Sequence, residues 1–200
     1  VEPHTRIHRV MLLNELYEAA FAHRERKRLD GSPYIDHLKG TAINAIRHLG
    51  RTRLSVLVGS FWHDSLEDLG LDPNILVPHE EYGISPHDLP HDLMKIRMQV
   101  MKIVKGVSKV RGVNRDHTSS LTFRNLLTVI ATTGSHVGLD VAYEKLADRL
   151  HNMATIAAQP PEKQKLIAGE TERLYIPLAM VFGVRDYSAE IVPHCLAVLN

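Results

Sequence analysis

The sequence predicts an all-α protein on three observations: apolar residues recur at three- and four-residue steps, glycine and proline bracket those stretches, and no period-two alternation of useful length occurs. Val10, Leu13, Tyr17, Ala20 and Phe21 form one apolar stripe, which predicts a first helix ending near Lys27. Asp30-Gly31-Ser32-Pro33 breaks it. A second helix is expected from about Ile35 to Leu49 and a third from about Arg53 to Leu69, stopped by Gly50 and Gly70, residues suited to close a helix in the left-handed conformation. Pro73, Pro78, Pro86 and Pro90 make the stretch from Asp72 to Asp92 a long loop. Helical patterns resume over roughly Leu93 to Val107, Ser119 to Thr133 and Leu139 to Ala158, with a mobile link expected from Ser108 to Thr118. After Pro160-Pro161 comes a helix from about Glu162 to Phe182, which Pro177 should kink or interrupt, and a short terminal helix follows.

At 200 residues the chain fits one domain, residues 1–200, large enough to fold without disulfides or structural metals. With 24 basic and 23 acidic residues it lacks the net field of many nucleic-acid or anionic-membrane binders, so neither partner is expected. The single Cys195 excludes an internal disulfide and suits a reducing compartment, and we expect a cytoplasmic protein. No apolar run approaches the ~20 residues of a membrane span, and the polar start Val1-Glu2-Pro3-His4 is not a signal peptide. Thirteen histidines raise the expectation of metal or acid/base chemistry.

That chemistry has a location. Trp62-His63-Asp64-Ser65-Leu66-Glu67-Asp68 places Glu67 one helical turn over His63 and Asp68 one turn over Asp64. Three acids and a histidine on one side of a helix repel and are costly to bury without a cation. In a later helix Asp148 and Asn152 share a face, and Tyr34-Ile35-Asp36-His37 adds a histidine just after a turn, so three segments can converge. Singly, each element has a plainer reading: a hydrogen-bonded structural His37, a solvated Glu67-Asp68 face, a surface Asp148-Arg149 ion pair. Only their combination favours a shared cation.

These strings carry a resemblance. A histidine, then His-Asp, then a distant Asp on a helix is the ligand order of the HD superfamily, a resemblance that implies one divalent cation held by His37, His63, Asp64 and Asp148. Arg28-Leu29-Asp30-Gly31-Ser32-Pro33-Tyr34-Ile35-Asp36-His37, His63-Asp64-Ser65-Leu66-Glu67-Asp68 and Lys145-Leu146-Ala147-Asp148-Arg149-Leu150-His151-Asn152-Met153 resemble the hydrolase domain of the RelA/SpoT alarmone enzymes. So do Val104 to Lys109 and the pairing of Glu170-Thr171 with Tyr175 to Ala179, so that the resemblance spans about residues 20 to 183. It implies a single compact HD-domain helical bundle that removes the 3′-pyrophosphate of guanosine tetra- and pentaphosphate, either as a stand-alone hydrolase or as part of a longer protein. Leu38, Leu69 and Ala154 replace a usual proline, threonine and arginine, which leaves the substrate open.

The mixed nitrogen and oxygen ligand set suits a six-coordinate cation such as Mn²⁺, and the resemblance also implies manganese. Such an ion would activate a water and offset charge on the phosphoryl oxygens. Glu67 and Asp68 take the acid/base role jointly, the alternative for Glu67 being a partner of His63 or His37. The resemblance places Arg28 against the purine and Asn152 on the nucleotide sugar or base; Lys27 is the candidate for a phosphate. Lys109, Arg111 and Arg115 are candidates to close over the polyphosphate, while Arg149 braces the site. Competing readings are NADPH or an adenosine alarmone as substrate, or a nucleotide sensor without turnover.

Overall fold

A computed structural model describes residues 3–72, 91–108, 124, 127–128, 130–131 and 136–200. Regular structure among them is helical, apart from one isolated bridge between Lys27 and Pro33. The helices are α1 (Pro3–Ala22), α2 (Tyr34–Arg47), α3 (Leu54–Trp62), α4 (Ser65–Leu69), α5 (His91–Val107), α6 (Val137–Ala154), α7 (Pro161–Glu170), α8 (Ile176–Val181) and α9 (Arg185–Leu199). The expected Asp72–Asp92 loop, the link after Ser108 and most of the expected Ser119–Thr133 helix lie outside the described residues.

Helix α6 sits at the centre, packed against α2, α5 and α9, while α3 packs on α2 and α5. Its residues from Asp140 to Ala147 are buried in succession, so it has no solvent face there. Leu146, Leu150 and Met153 from α6 meet Ile103 of α5 and Ala45 of α2 in one core cluster. Each large side chain so buried contributes roughly 1.5–3 kcal/mol. A second cluster, built on Leu38, Val58, Phe61, Trp62 and Val104, joins α2, α3 and α5. At Gly40 of α2 any Cβ would overlap the ring of His151 from α6.

The expectations for α1 and for the third helix need correction, whereas the interruption expected at Pro177 is present. In α1 the stripe read from the sequence faces solvent: Val10, Leu13 and Tyr17 are 61%, 66% and 67% exposed. The buried face carries Met11, Glu15 and Ala19 instead. Glu15 decides the face, because its carboxylate accepts a hydrogen bond from Trp62 Nε1 at 3.0 Å and pairs with Arg97 at 2.8 Å. The expected helix from Arg53 to Leu69 is two helices with a break at His63-Asp64, where Asp64 leaves helical geometry at φ −95°, ψ −2°. Gly70, at φ 67°, closes α4 as expected. Near Pro177 the chain widens into a π-helical turn, Thr171–Tyr175, and resumes as α8. Proline lacks the N–H an α-helix needs and its ring crowds the carbonyl four residues back, which a wider turn relieves.

Candidate metal centre

The break between α3 and α4 gives the site its shape. In an unbroken helix, consecutive side chains diverge by about 100° and cannot reach one point. Here His63 ends α3 and Asp64 opens α4, and Asp64 Oδ2 lies 3.0 Å from His63 Nε2. Side chains occupy the carbonyls around the break: His63 Nδ1 lies 2.9 Å from the Ser60 carbonyl, and Ser65 Oγ donates to the Trp62 carbonyl at 2.6 Å.

His37 comes from the first turn of α2 and Asp148 from the middle of α6. His37 Nε2 is 3.3 Å from His63 Nε2 and 3.3 Å from Asp64 Oδ2. Asp148 Oδ1 stands 3.5 Å from His37 Nε2 and 3.6 Å from His63 Nε2. His37, His63 and Asp148 present ligand atoms within 4.8 Å of one another, and Asp64 joins them through its contacts to both imidazoles. The three segments expected to converge therefore do so.

Electrostatics favour a cation at this point. Burial opposes charge on His63, but Asp64 and Asp148 outweigh it and hold the imidazole pKa well above its usual value. Burial likewise penalises both carboxylates, and His63 pulls them well below the ordinary range, helped at Asp148 by Lys145. Two partly buried carboxylates facing two imidazole nitrogens make an anionic site when the imidazoles are neutral, and this donor set suits a divalent ion. The residues present can hold a metal.

Further side chains hold the donors. Tyr34 Oη donates to Asp64 Oδ2 at 2.6 Å. His37 Nδ1 is 3.0 Å from Nδ1 of His151, whose pKa burial and the charge of His37 lower to about 4. A neutral His151 accepts the Nδ1 proton of His37 and leaves Nε2 of His37 directed at the other donors. Asn152 Nδ2 donates to Asp148 Oδ1 at 2.6 Å, and Arg28 Nη2 donates to Asn152 Oδ1 at 2.9 Å and Thr155 Oγ1 at 3.2 Å. Arg28 and Asn152 thus stand at the edge of the centre, connected to it by hydrogen bonds. Lys27 is exposed and bridged through its backbone to Pro33.

Of the two acids on α4, Asp68 pairs with Arg26 at 3.1 Å. Glu67 is partly buried and within electrostatic reach of Lys145. Arg149 pairs with Glu170 at 2.7 Å and lies over the Tyr175 ring, the bracing position expected of it. Lys109, Arg111 and Arg115 fall outside the described residues. Sequence reasoning missed Tyr34, His151 and Glu144 as supports. Glu144 is fully buried behind His63, and although the positive charge of His63 opposes it, burial pushes the Glu144 carboxyl up to about 7. Its signal was present: a charge within an apolar run, one helical turn before Asp148.

A family model described as an HD domain matches residues 16–185. A rice protein named probable GTP diphosphokinase RSH3, chloroplastic, is 28% identical over 98% of the chain and 26% of its own length. A Synechocystis protein named probable guanosine-3′,5′-bis(diphosphate) 3′-pyrophosphohydrolase is 31% identical over 84% of the chain and 20% of its own length. A Mycobacterium leprae protein named probable GTP pyrophosphokinase is 32% identical over 89% and 20%. The chain spans about a quarter or less of the length of these curated relatives. A solved structure described as "A metazoan ortholog of SpoT hydrolyzes ppGpp and plays a role in starvation responses" superposes with a TM-score of 0.63 at 18% identity, covering 94% of this chain and 92% of that one, a likeness in fold.

Proposed function

The chain belongs to the HD-domain family, and from that premise we propose that it is a metal-dependent phosphohydrolase that removes the 3′-pyrophosphate of guanosine tetra- and pentaphosphate. The observation that carries the reading is the continuous hydrogen-bonded path from Arg28 through Asn152 to Asp148, which sets a polar edge against a cation-binding cluster. The Synechocystis relative's name describes the same reaction. The diphosphokinase and pyrophosphokinase names belong to proteins several times longer, and the side chains gathered here suit hydrolysis.

His37, His63, Asp64 and Asp148 hold the ion, for which Mn²⁺ is the candidate. When bound, it supplies Lewis-acid activation of water and charge neutralisation at the phosphoryl oxygens. The chain supplies the rest. Arg28 offers a planar guanidinium to the base and Asn152 an amide to the nucleoside. Glu67 and Asp68, the latter held by Arg26, act jointly to orient the attacking water and accept its proton. The proton returns to the 3′-oxygen as the bond to phosphorus breaks, leaving GDP or GTP and pyrophosphate. The cytoplasm is the compartment this reading assigns, supported by a single cysteine that suits a reducing environment.

The test is incubation of the purified protein with Mn²⁺ and guanosine tetraphosphate, with NADPH in parallel and products separated by anion exchange. GDP with pyrophosphate is the expected result. Phosphate released from NADPH alone moves the substrate, and turnover of neither overturns the hydrolase reading.

A further inference from the structure

Glu144 is the buried charged group that the proposed chemistry leaves unused. It lies on the centre-facing side of α6, four residues before Asp148, and is 0% exposed. Its Oε2 accepts a hydrogen bond from Ser60 Oγ at 2.7 Å. Its Oε1 has no hydrogen-bond partner among the described residues and stands 3.8 Å from Nδ1 of His63. That nitrogen also faces the Ser60 carbonyl at 2.9 Å. A carbonyl oxygen can only accept, so Nδ1 carries the ring proton and the lone pair is left on Nε2, the atom turned toward His37, Asp64 and Asp148.

We propose that Glu144 is a positioning residue for the metal centre: its carboxylate, tethered by Ser60, faces the Nδ1–H of His63 from behind, reinforces by its charge the tautomer and ring orientation that the Ser60 carbonyl sets, and strengthens Nε2 as a ligand. This rests on the reading of His37, His63, Asp64 and Asp148 as metal ligands. A carboxylate behind a ligating imidazole makes that imidazole more basic and restricts its rotation, and removing such partners lowers metal affinity by about 10- to 100-fold. The two histidines are backed unequally. His37 leans on a neutral His151, His63 on a carbonyl and a carboxylate. The carboxylate has no other evident task, since Ser60 Oγ has a second acceptor for its one proton in the Val56 carbonyl at 3.1 Å and would remain satisfied without it.

The experiment is calorimetric titration of the metal-stripped chain with Mn²⁺ alone, at pH 8, comparing wild type, E144Q and D148N, with unfolding midpoints measured before metal is added. E144Q keeps the volume and an acceptor for Ser60, so its metal-free midpoint should stay near that of wild type while its Mn²⁺ affinity falls by about 10- to 100-fold. Affinity in E144Q within about twofold of wild type, while D148N loses binding, overturns the role of Glu144 and leaves the centre standing. Undiminished binding in D148N overturns the centre itself. If E144Q does not fold, S60A, which releases the tether, reads the same quantity: weakened Mn²⁺ binding supports the proposal and wild-type binding overturns it.

Discussion

Helices α1 and α6 are of similar length, 20 and 18 residues, and they use polar residues in opposite ways. In α1 an apolar stripe faces outward and a carboxylate, Glu15, faces in, matched by Trp62 and Arg97. In α6 every residue from Asp140 to Ala147 is buried, and each charge there has a partner: Asp140 the exposed Arg53 at 3.3 Å, Glu144 the hydroxyl of Ser60, Lys145 the carboxylate of Asp148 at 3.7 Å. Burying a charge is costly unless it is paired, so a helix that carries three of them through a core is organised around those pairings. Function collects on the helix where polar groups have no solvent to fall back on.

Substitutions would break or sharpen that contrast. The largest effect is expected at the functional end of α6: Asp148→Asn should abolish measurable Mn²⁺ binding and lower turnover of guanosine tetraphosphate on the order of 10³-fold, from the several kcal/mol that a Lewis-acid ion supplies. Next comes the contact between α2 and α6. Gly40→Ala forces the His151 ring aside and should destabilise the fold by about 1–3 kcal/mol in urea unfolding, with a loss of activity beyond that expected from the unfolded fraction. A null result there would mean that the helices can separate without disturbing His37. Tyr34→Phe removes one hydrogen bond to Asp64 and should weaken Mn²⁺ by roughly tenfold, the low end for such partners, with little change in stability. The smallest effect belongs to α1: Leu13→Gln should change stability by less than about 0.5 kcal/mol, whereas Met11→Ala, on the buried face, should cost about 2 kcal/mol. Equal effects at the two positions would overturn the assignment of the buried face.

The sequence made α6 legible and α1 misleading for one reason. Helical periodicity reports that a stripe exists but not what covers it. Val10, Leu13 and Tyr17 satisfy the period as well as Met11, Glu15 and Ala19 do, and only the distant Trp62 and Arg97 decide between them. The four donors could be read because adjacency and helical spacing place His63, Asp64 and Asp148, and the turn before His37 places the fourth. Their supports could not. The pairing of His37 with His151 joins residues 114 positions apart and leaves no local pattern. The break at Asp64 was hidden as well, since the apolar pattern runs on through it; what ends α3 is the engagement of the Ser60 and Trp62 carbonyls by His63 and Ser65.

That break sets stability and activity against each other within one short segment. A regular helix from Leu54 to Leu69 would recover backbone hydrogen bonds and would be favoured by any substitution that raises helix propensity at positions 63 to 65. The same change would splay His63 and Asp64 onto different faces. An engineer who selected this segment for thermal tolerance alone would therefore be rewarded for dismantling the centre, and the kink is best treated as a setting that variation should leave untouched.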